Sequence, residues 1–267
     1  MNKLKTAVIQ LDIVWMDIEQ NLINTENALK RLPEGCDVVI LPEMFTTGFI
    51  VDRQTAMSIG ETDSGRTIAK MTELAHLHNT AICGSFICRN GDSLYNRAFF
   101  IEPSGDKIFY NKRHLFTMGG ENLTYTPGED PMPVFRYRGW NIAMAVCFDL
   151  RFPAWLRNVD ASYDLLIVMA NWPDSRAYAW QMLLIARAIE NQAYVVGCNR
   201  SGTDDFGSYS YKSLIVEPKG RVIAGHTEFD AEPETSDIIV TDLSKDSLER
   251  FRQKFPVCQS MDHFKIL

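Results

Sequence analysis

Residues 142–153 read Ile142-Ala-Met-Ala-Val-Cys147-Phe-Asp149-Leu-Arg151-Phe-Pro153, and the reading of this stretch decides the fold. The continuous apolar run 142–146 predicts a strand buried on both faces, as in the interior of a layered α/β protein. The run ends on Cys147. A polar step follows at Asp149 and Arg151, and Pro153 stands where proline is tolerated at a helix start, predicting a short helix over residues 153–159. A cysteine on a sharp strand-to-helix turn is held rigidly near backbone N–H groups, which favour a thiolate and bind a developing oxyanion. The competing reading is a small hydrophobe that closes a buried strand, since free cysteine is among the most buried residue types. The stretch alone leaves both open.

Working outward, strands and helices alternate on both sides of this run. Apolar runs at residues 6–11, 37–41, 80–87, 94–101, 107–110, 165–170, 193–198, 212–217 and 237–241 predict strands. Helical periodicity predicts helices over residues 17–32, with Asp17 as cap, and over 67–78, 177–191 and 244–254. Asn90-Gly91-Asp92 is a hairpin turn signal, and Pro103-Ser104-Gly105 joins two antiparallel neighbours. Residues 113–133 form the longest irregular stretch, and a loop of that length is more often functional than filler. Strands of both orientations mixed with helices predict an α/β layered sandwich with mixed sheets. The absence of a linker or repeat predicts one domain over residues 1–267. A dinucleotide or nucleotide fold is not supported, because no G-x-G-x-x-G follows a strand and no G-x-x-x-x-G-K-[ST] occurs.

The bulk composition excludes several functions. A formal net charge of −7 argues against nucleic-acid or anionic-membrane partners, which need a basic face. No apolar run approaches a membrane span, and Gln10 and Asp12 interrupt the first apolar stretch too early for a signal peptide. The six cysteines form no CxxC and no Cys/His cluster with zinc spacing, so no metal site is expected. All except Cys147 read as buried thiols in a reducing compartment, and the expected location is the cytoplasm.

Glu43, Lys112 and Cys147 each follow a predicted strand, at the sheet edge where α/β proteins build their sites. Their chemistry is coherent. A thiol nucleophile needs a base, which a desolvated Glu43 supplies, and a cation such as Lys112 lowers the thiol pKa and stabilises charge on a substrate oxygen. Taken singly, Glu43 reads as an exposed loop carboxylate and Lys112 as a solvated strand-end charge. As the cation beside the thiol, Lys112 is expected to matter for chemistry more than for folding. A His–Cys pairing is not indicated: of His76, His78, His114, His226 and His263, only His114 is near a proposed site residue, and His76 and His78 read as surface residues.

Three segments, Leu41-Pro42-Glu43-Met44-Phe45, Asn111-Lys112-Arg113-His114-Leu115-Phe116 and Val146-Cys147-Phe148-Asp149-Leu150-Arg151-Phe152-Pro153, resemble the signature segments of the nitrilase superfamily in the same order. Ala170-Asn171-Trp172-Pro173 and Ala186-Arg187-Ala188-Ile189-Glu190-Asn191-Gln192 resemble its omega-amidase branch. The resemblance runs from the first strand to Phe255-Pro256. It implies a four-layer α-β-β-α sandwich, a Glu43–Lys112–Cys147 triad, hydrolysis of a carbon–nitrogen bond, and no metal or organic cofactor. It also implies a second glutamate, Glu121, followed by Tyr125-Thr126-Pro127-Gly128; its alternative is an exposed loop acid. The Phe148 backbone N–H would join Lys112 at the oxyanion, and Phe116 and Trp172 would line the substrate pocket. The chain departs from relatives at Phe148, where many have tyrosine, and at Ala179, where this branch often has histidine.

The branch resemblance implies a small omega-monoamide of a dicarboxylic acid as substrate, such as 2-oxoglutaramate or 2-oxosuccinamate. Alternatives are a nitrile, a carbamoyl amide or deaminated glutathione, or a non-catalytic binding or scaffold role on the same fold. A free substrate carboxylate needs a fixed cation, and arginine binds it at two points better than lysine. Arg176, after Asn171-Trp172-Pro173 and near a helix start, is the candidate. Arg151 competes, but is read as an ion-pair partner of Asp149. The resemblance also implies a homodimer or larger homo-oligomer, and the apolar helix around Met182, Leu183, Leu184 and Ile185 offers more apolar faces than one core needs.

Overall fold

A computed structural model describes residues 2–227, 230, 236–262, 264 and 266. The first sheet begins with β1 (Lys3–Ile9), β2 (Val38–Ile40) and β3 (Ala81–Asn90), which run parallel, and continues through the antiparallel strands β4 (Ser93–Ile101) and β5 (Lys107–Asn111). Asn90 pairs with Ser93 across the predicted turn, where Gly91 has φ +60°. The second sheet is built the same way: a parallel trio, β7 (Trp140–Val146), β8 (Leu165–Ala170) and β9 (Tyr194–Asn199), has antiparallel β6 (Val134–Tyr137) beside β7. A hairpin of β10 (Gly202–Asp204) and β11 (Gly207–Tyr209) precedes β12 (Leu214–Val216) and β13 (Val222–Gly225), which extend the sheet beyond β9. Finally, β14 (Ile238–Ser244) returns to pair antiparallel with β1.

Strand alternation creates the layers. Along β7, Ile142, Met144 and Val146 enter the core between the sheets, whereas Ala143 and Ala145 enter a separate core on the outer face. In β1, Leu4 and Val8 point inward while Ala7 and Ile9 point outward. Helices α1 (Ile18–Leu29) and α3 (Arg66–His78) cover the outer face of the first sheet with Leu22, Leu29, Met71 and Leu74. Between them in sequence, α2 (Arg53–Ile59) buries only Ala56 among its own residues. The short α4 (Glu121–Thr124) lies in the loop after β5, and α5 (Ala177–Asn191) covers the second sheet with Trp180, Leu184 and Ala188. This is the expected α-β-β-α order. Asp17 caps α1 by accepting from the Gln20 N–H at 3.0 Å, and Gln192 ends α5 in the left-handed conformation, φ 45°. The last helix, α6 (Lys245–Lys254), is tied to the second sheet by Lys245 and Arg252, which both pair with Asp164. Among the described residues no helix is long and apolar enough to cross a membrane.

Several expectations fail locally. No helix forms over residues 153–159; a 3-10 turn starts at Cys147 itself (Cys147–Arg151), and irregular turns follow. The cause is an anchor: the Asp149 carboxylate accepts the Val146 N–H at 3.1 Å and curls the chain immediately after the strand. The irregular stretch 113–133 contains α4, and residues 200–210 contain the β10–β11 hairpin. Cys36, Cys83, Cys88 and Cys198 are buried as read, but Cys258 is only half-buried. His263 lies outside the described residues.

Candidate active site

Glu43 is placed by a break in the sheet. Pro42 has no N–H to continue a ladder, and Met44 turns away in the left-handed conformation, φ 43°, donating its N–H to the Ser85 hydroxyl at 2.9 Å. Lys112 sits just past β5, its N–H still bonded to the Asn96 carbonyl at 2.9 Å. The loop carrying Glu121 folds back so that the Gly128 N–H reaches the Lys112 carbonyl at 2.9 Å. A Cβ at position 128 would lie 2.1 Å from the Asn111 carbonyl oxygen, so only glycine permits that approach. Cys147 closes β7 with φ 45°, a left-handed strain that β-carbon-bearing residues adopt rarely and that clusters at functional sites.

These breaks meet at one place. Lys112 Nζ lies 2.9 Å from Glu43 Oε1 and 2.9 Å from both carboxylate oxygens of Glu121. All three side chains are essentially removed from solvent, so neither the exposed-loop nor the solvated-strand-end reading applies. Asn96 bridges the two carboxylates, donating to Glu43 Oε1 at 2.7 Å and to Glu121 Oε1 at 3.2 Å, and is itself fixed by the Ser85 hydroxyl. Glu43 Oε2 accepts the Asn171 backbone N–H at 2.9 Å, and Glu121 Oε2 accepts that of Phe116 at 2.6 Å. Cys147 lines the same pocket as Glu43 and Lys112.

The electrostatics follow from two buried carboxylates sharing one ammonium. Burial opposes the charge on Lys112, but Glu121 and Glu43 overcome it and hold its pKa well above the ordinary lysine range. For Glu121, burial raises the pKa, Lys112 pulls it back and Glu43 raises it again, leaving it above the ordinary carboxylate range. Burial pushes the Cys147 thiol well up, and the Glu43 carboxylate adds to this while Lys112 opposes it. The sulfur therefore rests as a thiol, in the same pocket as the Glu43 carboxylate, a group of the kind that accepts a thiol proton.

The pocket has about 470 Å³ of free space, mouth included, and is lined by Phe49, Phe116, Phe148, Trp172, Phe206 and Tyr209 around the polar floor. Arg151 and Arg176 also line it and are exposed. The Arg176 guanidinium stands 5.2 Å from the Phe116 ring centre, and that of Arg151 stands 4.8 Å from the Trp172 ring centre. The expected Arg151–Asp149 pair is absent. Asp149 is fully buried and spends its oxygens on the Tyr110 hydroxyl at 2.9 Å, the His114 backbone N–H at 2.9 Å, the His114 ring at 2.8 Å and the Val146 N–H. His114 thus braces the turn that carries Cys147. Among the described residues no group of three or more His, Cys, Asp or Glu side chains could hold a metal ion.

The structure brings Glu43, Lys112, Glu121, Cys147, Phe116, Phe148, Trp172 and Arg176 together at one place. Asn96 is not marked in the sequence: its burial within β4 shows only once the strand is packed. Phe49 and Phe206 reach the pocket from distant loops and Tyr209 from the end of β11, and nothing local in the sequence marks them.

A sequence model of the carbon-nitrogen hydrolase family matches residues 5–253. The chain is 41% identical over 267 residues to the omega-amidase YafV of Escherichia coli K12, covering 100% of both chains. It is 32% identical over 221 residues to the 2-oxoglutaramate amidase of Bacillus subtilis 168, covering 82% of this chain and 84% of the relative. Its structure matches that of XC1258 from Xanthomonas campestris, a CN-hydrolase superfamily protein with an arsenic adduct in the active site, with a TM-score of 0.93, 33% identity and 100% coverage of each chain.

Proposed function

The chain belongs to the carbon-nitrogen hydrolase family, and on that premise we propose that it hydrolyses the terminal amide of small dicarboxylic acid monoamides, such as 2-oxoglutaramate, through a thioester on Cys147. The observation that carries this reading is the buried Glu43–Lys112–Glu121 cluster beside Cys147, at the floor of a pocket with two arginines in its lining. Cys147 Sγ attacks the amide carbon as its proton passes to Glu43. A thiol held this high by burial does not ionise in advance, so transfer and attack run together. Lys112, permanently charged, and the Phe148 backbone N–H receive the oxyanion. The tetrahedral intermediate collapses, the C–N bond breaks, and ammonia leaves with the proton from Glu43. Water, positioned by Glu121 and deprotonated by Glu43, then attacks the thioester, releasing the acid and returning the proton to sulfur.

The names of the E. coli and B. subtilis relatives support the substrate class, and the chemistry of the pocket lining agrees with it. The substrate carboxylate reaches Arg176, with Arg151 available from the Trp172 side. In an ammonia-release panel, 2-oxoglutaramate is hydrolysed far faster than hexanamide or a nitrile. Arg176→Ala raises KM for 2-oxoglutaramate by roughly tenfold or more, the worth of a charge-assisted contact, and leaves hexanamide turnover unchanged. Equal losses on both substrates, or no preference in the wild type, contradict the assignment.

The remaining expectations stand as parts of the same proposal: one domain, a cytoplasmic enzyme, and a homo-oligomer. For the last, the outer face of α5 leaves Met182 and Ile185 half-buried and Ile189 51% exposed, an apolar stripe that a second copy covers. Light scattering at working concentration gives at least twice the mass of one chain; the mass of a single chain refutes it.

A further inference from the structure

Asn171 is the unexplained polar group of the pocket. It is 8% exposed and lines the cavity, yet neither its Oδ1 nor its Nδ2 has a hydrogen-bond partner among the described residues. An unpartnered buried carboxamide costs free energy, and such groups in a binding cavity are accounted for when a ligand completes them. Its backbone fixes where it sits: the Asn171 N–H bonds Glu43 Oε2, whereas Lys112 and Asn96 both bond Glu43 Oε1. The two sides of the Glu43 carboxylate are therefore different. The Oε1 side holds the cation that receives the substrate oxygen. The Oε2 side holds Asn171.

We propose that Asn171 binds the nitrogen end of the scissile amide, its Oδ1 accepting one N–H of the substrate while Glu43 faces the same nitrogen. Rotation of a planar amide about its carbon would exchange oxygen and nitrogen, and only one orientation puts oxygen at Lys112 and the leaving nitrogen at the carboxylate that protonates it. An acceptor on the Oε2 side selects that orientation and rejects groups that lack an N–H. The inference rests on the amidase reading above and deepens it. It makes Asn171 the residue that distinguishes a primary amide from the corresponding ester.

The test compares 2-oxoglutaramate with the methyl ester of the same carboxyl group. Both present the same carbonyl and distal carboxylate, and only the amide donates an N–H. In Asn171→Ala and in Asn171→Leu, kcat/KM for the amide falls by roughly tenfold or more, as for a lost buried hydrogen bond, while that for the ester stays within about twofold. The amide-to-ester ratio is insensitive to partial misfolding, which lowers both together. Should Asn171→Leu not fold, Asn171→Ala alone decides. Should the ester turn over too slowly, binding of both compounds to the Cys147→Ala protein, with and without Asn171→Ala, gives the same comparison. An unchanged ratio overturns the role of Asn171 and leaves the amidase intact. A wild-type protein that releases ammonia from no amide overturns both.

Discussion

Cys147→Ala lowers ammonia release by on the order of 10⁵-fold or more, as expected when the nucleophile of an interdependent group is deleted, and leaves the fold in place. The side chain that is lost contributes little to packing, because Cys147 lines the pocket and is only partly buried against the edges of two cores. Alanine keeps the β-carbon, so the strain of the left-handed backbone at φ 45° is unchanged. The melting temperature therefore moves by only a few degrees, in line with a change of about 1 kcal/mol. Cys83→Ala and Cys198→Ala differ from it in turnover. Both side chains are fully buried between the sheets, and their substitution costs about 1 kcal/mol in packing without touching turnover. Alkylation follows the same division. Burial raises the Cys83 and Cys198 thiols far above the range in which they react, and it holds Cys88 at about 11. Iodoacetamide inactivates the enzyme by labelling Cys147 first, because there alone a carboxylate stands ready to take the thiol proton. Inactivation that tracks labelling of another cysteine contradicts this.

Lys112→Met is the second large effect, and it strikes both chemistry and stability. Loss of an oxyanion donor lowers turnover by on the order of 10²–10³. The structure corrects the expectation that Lys112 matters for chemistry more than for folding. Its ammonium is 1% exposed and neutralises two carboxylates that are equally buried, so its removal leaves Glu43 and Glu121 facing each other without a cation. Removing one partner of such a group costs about 3–5 kcal/mol. The sign of the pH response follows. Glu121 already has a raised pKa in the folded protein, and without Lys112 it rises further. A carboxyl group with a raised folded pKa favours the fold at low pH, and that contribution is lost as pH rises through the folded value. The stability deficit of Lys112→Met is therefore largest at neutral pH and shrinks on acidification towards the raised Glu121 value. Denaturant melts at several pH values measure it, and a deficit that does not vary with pH would falsify the shared-cation account. Lys112→Met, Glu121→Gln removes one of the two stranded charges and recovers part of the stability without recovering activity.

How far the sequence revealed this site depends on whether a feature is local. The apolar runs are local, and they yielded most strands, the layered class and the α5 helix to the residue. Glu43, Lys112 and Cys147 were legible because each follows a strand, and ends of strands converge in α/β folds. What failed was decided by contacts from far along the chain. The residues after Pro153 have the right composition for a helix, but Asp149, fixed by Tyr110 on β5 of the other sheet and by His114 in the loop after it, curls the chain at Cys147 first. The same anchoring explains the misread Arg151: an acid two residues away is a natural partner on paper, yet all of its acceptor positions are taken. Helix α2, Arg53-Gln-Thr-Ala-Met-Ser-Ile59, lacks an amphipathic pattern because only Ala56 is buried, and its cap at Asp52 was the one available clue. Asn96 and Asn171 carry the finer design. A single asparagine in a strand or a loop is unremarkable until the carboxylates around it are in place.

The central claim is a covalent acyl group on Cys147. Mixing the enzyme with excess 2-oxoglutaramate, quenching in acid within the turnover time and mapping the peptides by mass spectrometry tests it directly. The account predicts the acyl mass on the peptide containing Cys147, absent from Cys147→Ala and removed by hydroxylamine. Full ammonia release with an unmodified Cys147 peptide at every quench time, or the acyl mass on a different residue, contradicts it.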